Sequence, residues 1–139
     1  METAYFYLGL SGMLCVLLWT PYILSRAMTW GIPAFLNNYP EGFPKVQPEE
    51  PLWALRAQRA HLNLVETLPA FAAVVVAAGS FASAAAYETI SVWAQVFFLA
   101  RLGHALVYIL GIPYLRTPVY LVSWAAVLMI GSTIFWRLA

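Results

Sequence analysis

The chain has 139 residues, 63% of them hydrophobic and only 9% charged, whereas an ordinary soluble domain carries roughly 25% charged residues. With a mean hydropathy of +0.76, the composition is that of an integral membrane protein. A net charge of +1 supplies no basic field for nucleic acid, and no zinc-finger or helix-turn-helix spacing occurs.

The first apolar segment covers residues 4–26. It follows Glu2 rather than a basic n-region and is long enough to span a bilayer, so it is expected to be a retained helix and not a cleaved leader. Cys15 lies within it, with no second cysteine to pair with and no neighbouring metal ligands, and reads as a small buried or lipid-facing side chain.

The long connection 27–51 contains "GIPAFLNNYPEGFPKVQPEEP", which holds five of the nine prolines and reads as a polar loop. A second span is expected over 52–80, a third over 87–110 and a fourth over 117–137, each near or above the roughly 20 residues that cross a ~30 Å hydrocarbon core. Such runs are too long and continuous for barrel strands, so the fold class is all-α, a single four-helix membrane domain.

The short connections predict antiparallel neighbouring helices. In "LGIPYLRTP", Thr117 is placed to cap the fourth span and Pro118 to begin it. A lane of small residues, "AFAAVVVAAGSFASAAA", suits close backbone approach and hence oligomerisation. Arg26, Lys45, Arg56, Arg59 and Arg116 gather on one side of the bilayer against Arg137 on the other, which predicts a cytoplasmic long loop with both termini outside.

The rare charges within the spans are patterned. In "LRAQRAHLNLVETLP", Arg59, Asn63 and Glu66 fall at about 0°, 40° and −20° on a helical wheel, with Arg56 at about 60°, so they share one stripe. His61 lies about 160° from Asn63 and is expected to bond a neighbouring helix. Pro69 removes a backbone hydrogen bond from the same helix.

The third span repeats the arrangement in "ARLGHALVY", with Arg101, His104 and Tyr108 at about 0°, −60° and −20°. In the fourth, Arg116 and Tyr120 are four apart and share a side.

Ionisable side chains cost about 2.5–3.5 kcal/mol each at the centre of a span, so these stripes avoid lipid. They either pair internally, as Arg59 with Glu66 or Glu66 with Arg101, or they meet a polar ligand. Arg56, Arg59, Arg101 and Arg116 outnumber Glu66, with Arg26 at the end of the first span, and such an excess of guanidinium invites an anion. A small peptide or amino acid with several carboxylates and one amine matches these donors better than a nucleotide does, because no glycine-rich phosphate loop is present.

The motifs "RAQRAHLNLVETLP", "ARLGHALVYILG" and "LRTPVY" resemble, in order, the second, third and fourth helices of the MAPEG family. These are the membrane-associated proteins in eicosanoid and glutathione metabolism, among them the microsomal glutathione transferases. The resemblance extends over nearly the whole chain.

It implies a homotrimer binding glutathione between neighbouring subunits near the cytoplasmic side, and an enzyme of glutathione transferase or peroxidase type acting on a lipophilic electrophile delivered by membrane lipids. Carried over by motif position, Arg26, Arg59, Asn63, Glu66, Arg101, His104, Tyr108 and Tyr120 bind glutathione, with Glu66 facing the γ-glutamyl amine. Arg116 is implied as the catalytic residue that favours the thiolate, and no metal is expected. The chain departs from the pattern at Leu62, where several family members place another arginine. A trimeric scaffold that binds glutathione or another small anion without turnover is the alternative expectation.

Overall fold

The computed structural model describes residues 1–37 and 49–135. Lys45 and Arg137, which entered the charge comparison, lie outside the described residues, as do residues 38–48 of the long connection and the last residues of the fourth span. Among the described residues there are five α-helices: α1 (Glu2–Trp30), α2 (Ile32–Leu36), α3 (Leu52–Phe81), α4 (Tyr87–Leu110) and α5 (Arg116–Phe135). Of these, α1, α3, α4 and α5 are long and apolar enough to cross a membrane, α4 together with the 3-10 turn Ala84–Ala86 before it. The protein is an all-α, multi-pass membrane bundle.

The first span runs a full turn beyond the expected 26, to Trp30, because nothing in "SRAMTW" stops a helix. Gly31 ends it with φ +79, a backbone conformation open to glycine. Part of the expected loop is itself helical: α2 begins directly after Gly31 with Pro33 in its first turn, where a missing N–H costs nothing.

The fourth span begins at Arg116 rather than 117. Thr117 and Pro118 therefore sit inside its first turn, and Thr117 does not cap the helix from outside. Pro118 is tolerated there because the first-turn N–H groups have no intrahelical acceptor.

Helix α3 has 30 residues and passes through Pro69 without a break. At 1.5 Å per residue it is about 45 Å long, some 15 Å more than the hydrocarbon core, so its ends reach the headgroup levels.

Within the bundle α4 packs most extensively on α5 and α1 on α3, with α4 also against α1 and α3. The centre is apolar: Leu64, Phe71, Val75, Phe97, Ile90, Ala94, Ala126 and Ile130 are buried, and the rings of Phe71 and Phe97 stack at 3.8 Å. In hydrocarbon there is no hydrophobic drive between helices, so this close packing is what holds them.

Part of the small-residue lane is consumed inside the protomer. Ala78 and Ala82 are buried, and the Tyr5 hydroxyl of α1 occupies the space where a Cβ on Gly79 would stand. That part of the lane seats α1, while Ala70, Ala73 and Ser80 remain exposed on the protomer surface.

Candidate functional site

Helix α4 is apolar apart from Glu88, Gln95, Arg101 and His104 and a few hydroxyls, and it buries the last two charged positions. Arg101 is 1% exposed and His104 is 3% exposed. The Arg101 guanidinium donates from Nη2 to Oδ1 of Asn63 on α3 at 2.9 Å, and its carbon lies 5.6 Å from the Tyr120 ring centroid on α5. Its Nε and Nη1 are buried with no hydrogen-bond partner among the described residues. A buried guanidinium with two unpaired donors is costly, and the ordinary remedy is an acceptor brought by water or by a ligand.

His104 lies between two tyrosines, with ring centroids 5.5 Å from Tyr108 and 6.0 Å from Tyr120. One helical turn nearer the end of the bundle, Arg116 places its guanidinium carbon 5.1 Å from the Tyr108 ring centroid, and its Nη1 is 3.4 Å from the Tyr108 hydroxyl oxygen. That hydrogen bond is long, so Arg116 is held loosely and can redirect its fork.

Asn63, His104, Tyr108, Arg116, Thr117 and Tyr120 together line a cavity of about 290 Å³. Three helices contribute to it, and none of its lining residues is acidic. The site can therefore accept hydrogen bonds at few points and donate them at many, which is the chemistry of an anion receptor.

The structure divides the polar stripe of α3. Asn63 turns inward to Arg101, whereas Arg59 and Glu66, on the other edge of the stripe, are exposed on the protomer surface. Glu66 lines a separate cavity of about 180 Å³ with Thr67, Phe97, Ser123 and Trp124. Neither expected internal pair, Arg59 with Glu66 or Glu66 with Arg101, forms among the described residues, where the one ion pair joins Arg26 to Glu50.

Arg26 is accordingly apart from the cluster: its Nε lies 2.7 Å from Oε1 of Glu50, and its guanidinium carbon is 5.2 Å from the Trp30 ring centroid. His61 behaves as its wheel position requires, with Nδ1 3.0 Å from the Tyr22 hydroxyl of α1.

With the geometry in place, comparison with family models gives a match to the MAPEG family over residues 3–136. The chain belongs to the MAPEG family. No individual curated protein matches it. Membership accounts for the four long apolar helices, and it covers all three polar motifs, since residues 55–69, 100–111 and 115–120 all fall inside the match.

Two residues of this MAPEG protein's polar end escaped sequence reasoning. Glu50 sits in a proline-rich run with no periodicity to place it, and its contact with Arg26 joins residues 24 apart in sequence. Gly111 carried a usable signal, a glycine directly after an apolar run and two residues before a proline. It ends α4 with φ +71, its N–H bonding the Tyr108 carbonyl and the N–H of Ile112 bonding that of Val107.

Proposed function

We propose that the protein is a membrane-embedded glutathione transferase or peroxidase, working as a homotrimer that activates glutathione thiolate for attack on lipophilic electrophiles or lipid hydroperoxides. The observation that carries this reading is the cavity joining Asn63, His104, Tyr108, Tyr120 and Arg116 beside the unsatisfied donors of Arg101, in a chain of the MAPEG family.

Glutathione fits the donor set. It brings two carboxylates, one ammonium, two amides and a thiol, and the cluster offers guanidinium forks, an amide and phenolic hydroxyls. A cavity of about 290 Å³ in one protomer is at the lower limit of the ~300–1,000 Å³ typical of ligand sites. A second protomer adds walls and covers Arg59 and Glu66, which otherwise stand exposed on a membrane helix. Glu66 then serves as counter-charge to the γ-glutamyl ammonium, and Arg59 and Arg101 serve the carboxylates, which Arg26 reaches only by exchanging its Glu50 partner.

Arg116 acts on the thiol. A guanidinium beside the sulfur favours thiolate by direct charge stabilisation, and its loose contact with Tyr108 leaves it free to turn toward the thiol. In transfer, the thiol proton leaves to water, the sulfur electron pair forms the S–C bond, and the leaving group departs with its own pair. In peroxide reduction, the thiolate attacks the distal peroxide oxygen, the O–O bond breaks, and the alkoxide takes a proton to leave as the alcohol. The resulting sulfenic acid reacts with a second glutathione to give disulfide and water.

The clustering of Arg26, Arg56, Arg59 and Arg116 at one end of the bundle, with no lysine or arginine at the other among the described residues, supports a cytoplasmic position for the site and external termini. Purified protein assayed with glutathione and a chloronitrobenzene or a lipid hydroperoxide tests the reading. Turnover with either is expected. Glutathione binding without turnover across both substrates favours the non-catalytic scaffold, and failure to bind glutathione removes the enzyme reading and leaves only a scaffold for another small anion.

A further inference from the structure

Beside the cavity just described lies a larger one of about 410 Å³, lined among others by Arg56, Tyr108, Gly111, Tyr114, Arg116 and Thr117. Tyr108, Arg116 and Thr117 form the wall between the two. Among the described residues, none of those lining it is acidic, and neither arginine enters an ion pair. Two guanidinium groups facing one space without a counter-charge repel each other unless an anion joins them.

Arg56 is seated there by the backbone. Gly111 has positive φ and no side chain, and the Arg56 guanidinium fills the space that a Cβ at Gly111 would need. The contact brings the start of α3 against the end of α4, next to the first residue of α5. Three helix ends meeting at one level mark the membrane boundary, because α3 overruns the hydrocarbon core and Arg56 is in its first turns. Around the mouth, Ile112, Tyr114 and Leu115 are 40%, 92% and 50% exposed, an apolar and aromatic rim of the kind that sits among headgroups.

We propose that this cavity is a second anion site, which takes a phosphate-class anion presented by an anionic phospholipid headgroup or free in solution. A single guanidinium fork satisfies the two oxygens of a carboxylate, whereas two forks on one space match the larger oxygen count of a phosphate group. Basic recesses between helix ends on the cytoplasmic side of a bilayer are suited to anionic headgroups, and the rim provides the apolar contact that free phosphate does not use. Arg116 then belongs to both sites, so anion occupancy positions the guanidinium assigned to the thiol. The anion site itself does not depend on the glutathione reading.

The test titrates detergent-solubilised protein with short-chain phosphatidylglycerol, matched phosphatidylcholine and inorganic phosphate by calorimetry, for wild type, Arg56→Gln and Arg56→Lys, with glutathione affinity measured in parallel. Phosphatidylglycerol is expected to bind more tightly than phosphatidylcholine, by a margin that falls about fivefold in Arg56→Gln and less in Arg56→Lys, with glutathione affinity unchanged. Arg56-dependent binding of inorganic phosphate as tight as that of phosphatidylglycerol assigns the site to free anion, and binding of the lipid alone assigns it to the headgroup. Equal binding of the two lipids with no binding of phosphate, unaltered anion binding in Arg56→Gln, or a loss confined to glutathione overturns the proposal.

Discussion

Replacing Arg116 with alanine separates chemistry from architecture. The side chain is exposed at the start of α5, and among the described residues it meets Tyr108, through a 3.4 Å hydrogen bond and a ring contact at 5.1 Å. Surface changes of this kind move stability by about 0.5 kcal/mol or less, so the bundle is expected to survive. The effect on the thiol is larger. A free thiol has a pKa of about 8.5, and an opposite charge within about 4–6 Å lowers the pKa of an anion-forming group by roughly 1–3 units.

Taking about 2 units, the bound thiol titrates near 6.5 with Arg116 present and near 8.5 without it. Thiolate is then about three-quarters of the total at pH 7 in the wild type and about 3% in the variant, a ratio of roughly 25 that rises to about 80 at pH 6. Above pH 9 both forms are mostly ionised and the ratio approaches one. The intrinsic nucleophilicity of a more basic thiolate is higher, which trims the deficit at every pH without changing its slope. The assay is the pH–rate profile of single-turnover conjugation at saturating glutathione. A loss that grows toward acid pH is expected, and a variant with the same apparent pKa as the wild type refutes the role given to Arg116.

Three further substitutions probe the remaining parts. Tyr22→Phe removes the hydroxyl 3.0 Å from His61 Nδ1 and should lower thermal stability in detergent by about 0.5–1.5 kcal/mol while glutathione affinity holds; an affinity loss would move His61 into the ligand site. Asn63→Ala strips the one hydrogen bond made by the buried Arg101 guanidinium, and the unpaired charge should cost about 3 kcal/mol or more of unfolding free energy, with glutathione restoring part of it in a melting experiment. A wild-type melting temperature would mean that Arg101 already has another acceptor. Glu66→Gln leaves a group that is exposed in the protomer, so the monomer fold should persist while glutathione affinity falls about tenfold or more through loss of one charge-assisted contact; unchanged affinity would exclude Glu66 from the ammonium.

The helices were legible because membrane spans announce themselves by composition: four apolar runs became four long helices, with the 3-10 turn at Ala84–Ala86 marking the second connection. Their ends were less so. Arg116 starts α5 although Thr117 and Pro118 offered a conventional beginning, because a local capping preference of about 1 kcal/mol is easily outweighed by the packing of α5 on α4. Within the site, wheel positions correctly joined His104 and Tyr108 and sent His61 to another helix. They did not foresee that Asn63 turns inward while Arg59 and Glu66 of the same stripe stay exposed. That depends on where α4 crosses α3, which a single helix's periodicity does not contain. The Arg26–Glu50 pair and the seat of Arg56 on Gly111 likewise arise from contacts between distant segments.

The central claim is that a guanidinium-rich cavity in a membrane bundle binds glutathione as its thiolate. Ultraviolet difference spectroscopy of purified protein mixed with glutathione at neutral pH tests it without any choice of electrophile. The account predicts a saturable thiolate absorbance in the wild type that disappears in Arg116→Ala while calorimetry still shows glutathione bound. Absence of both the absorbance and the heat of binding at saturating glutathione would contradict it.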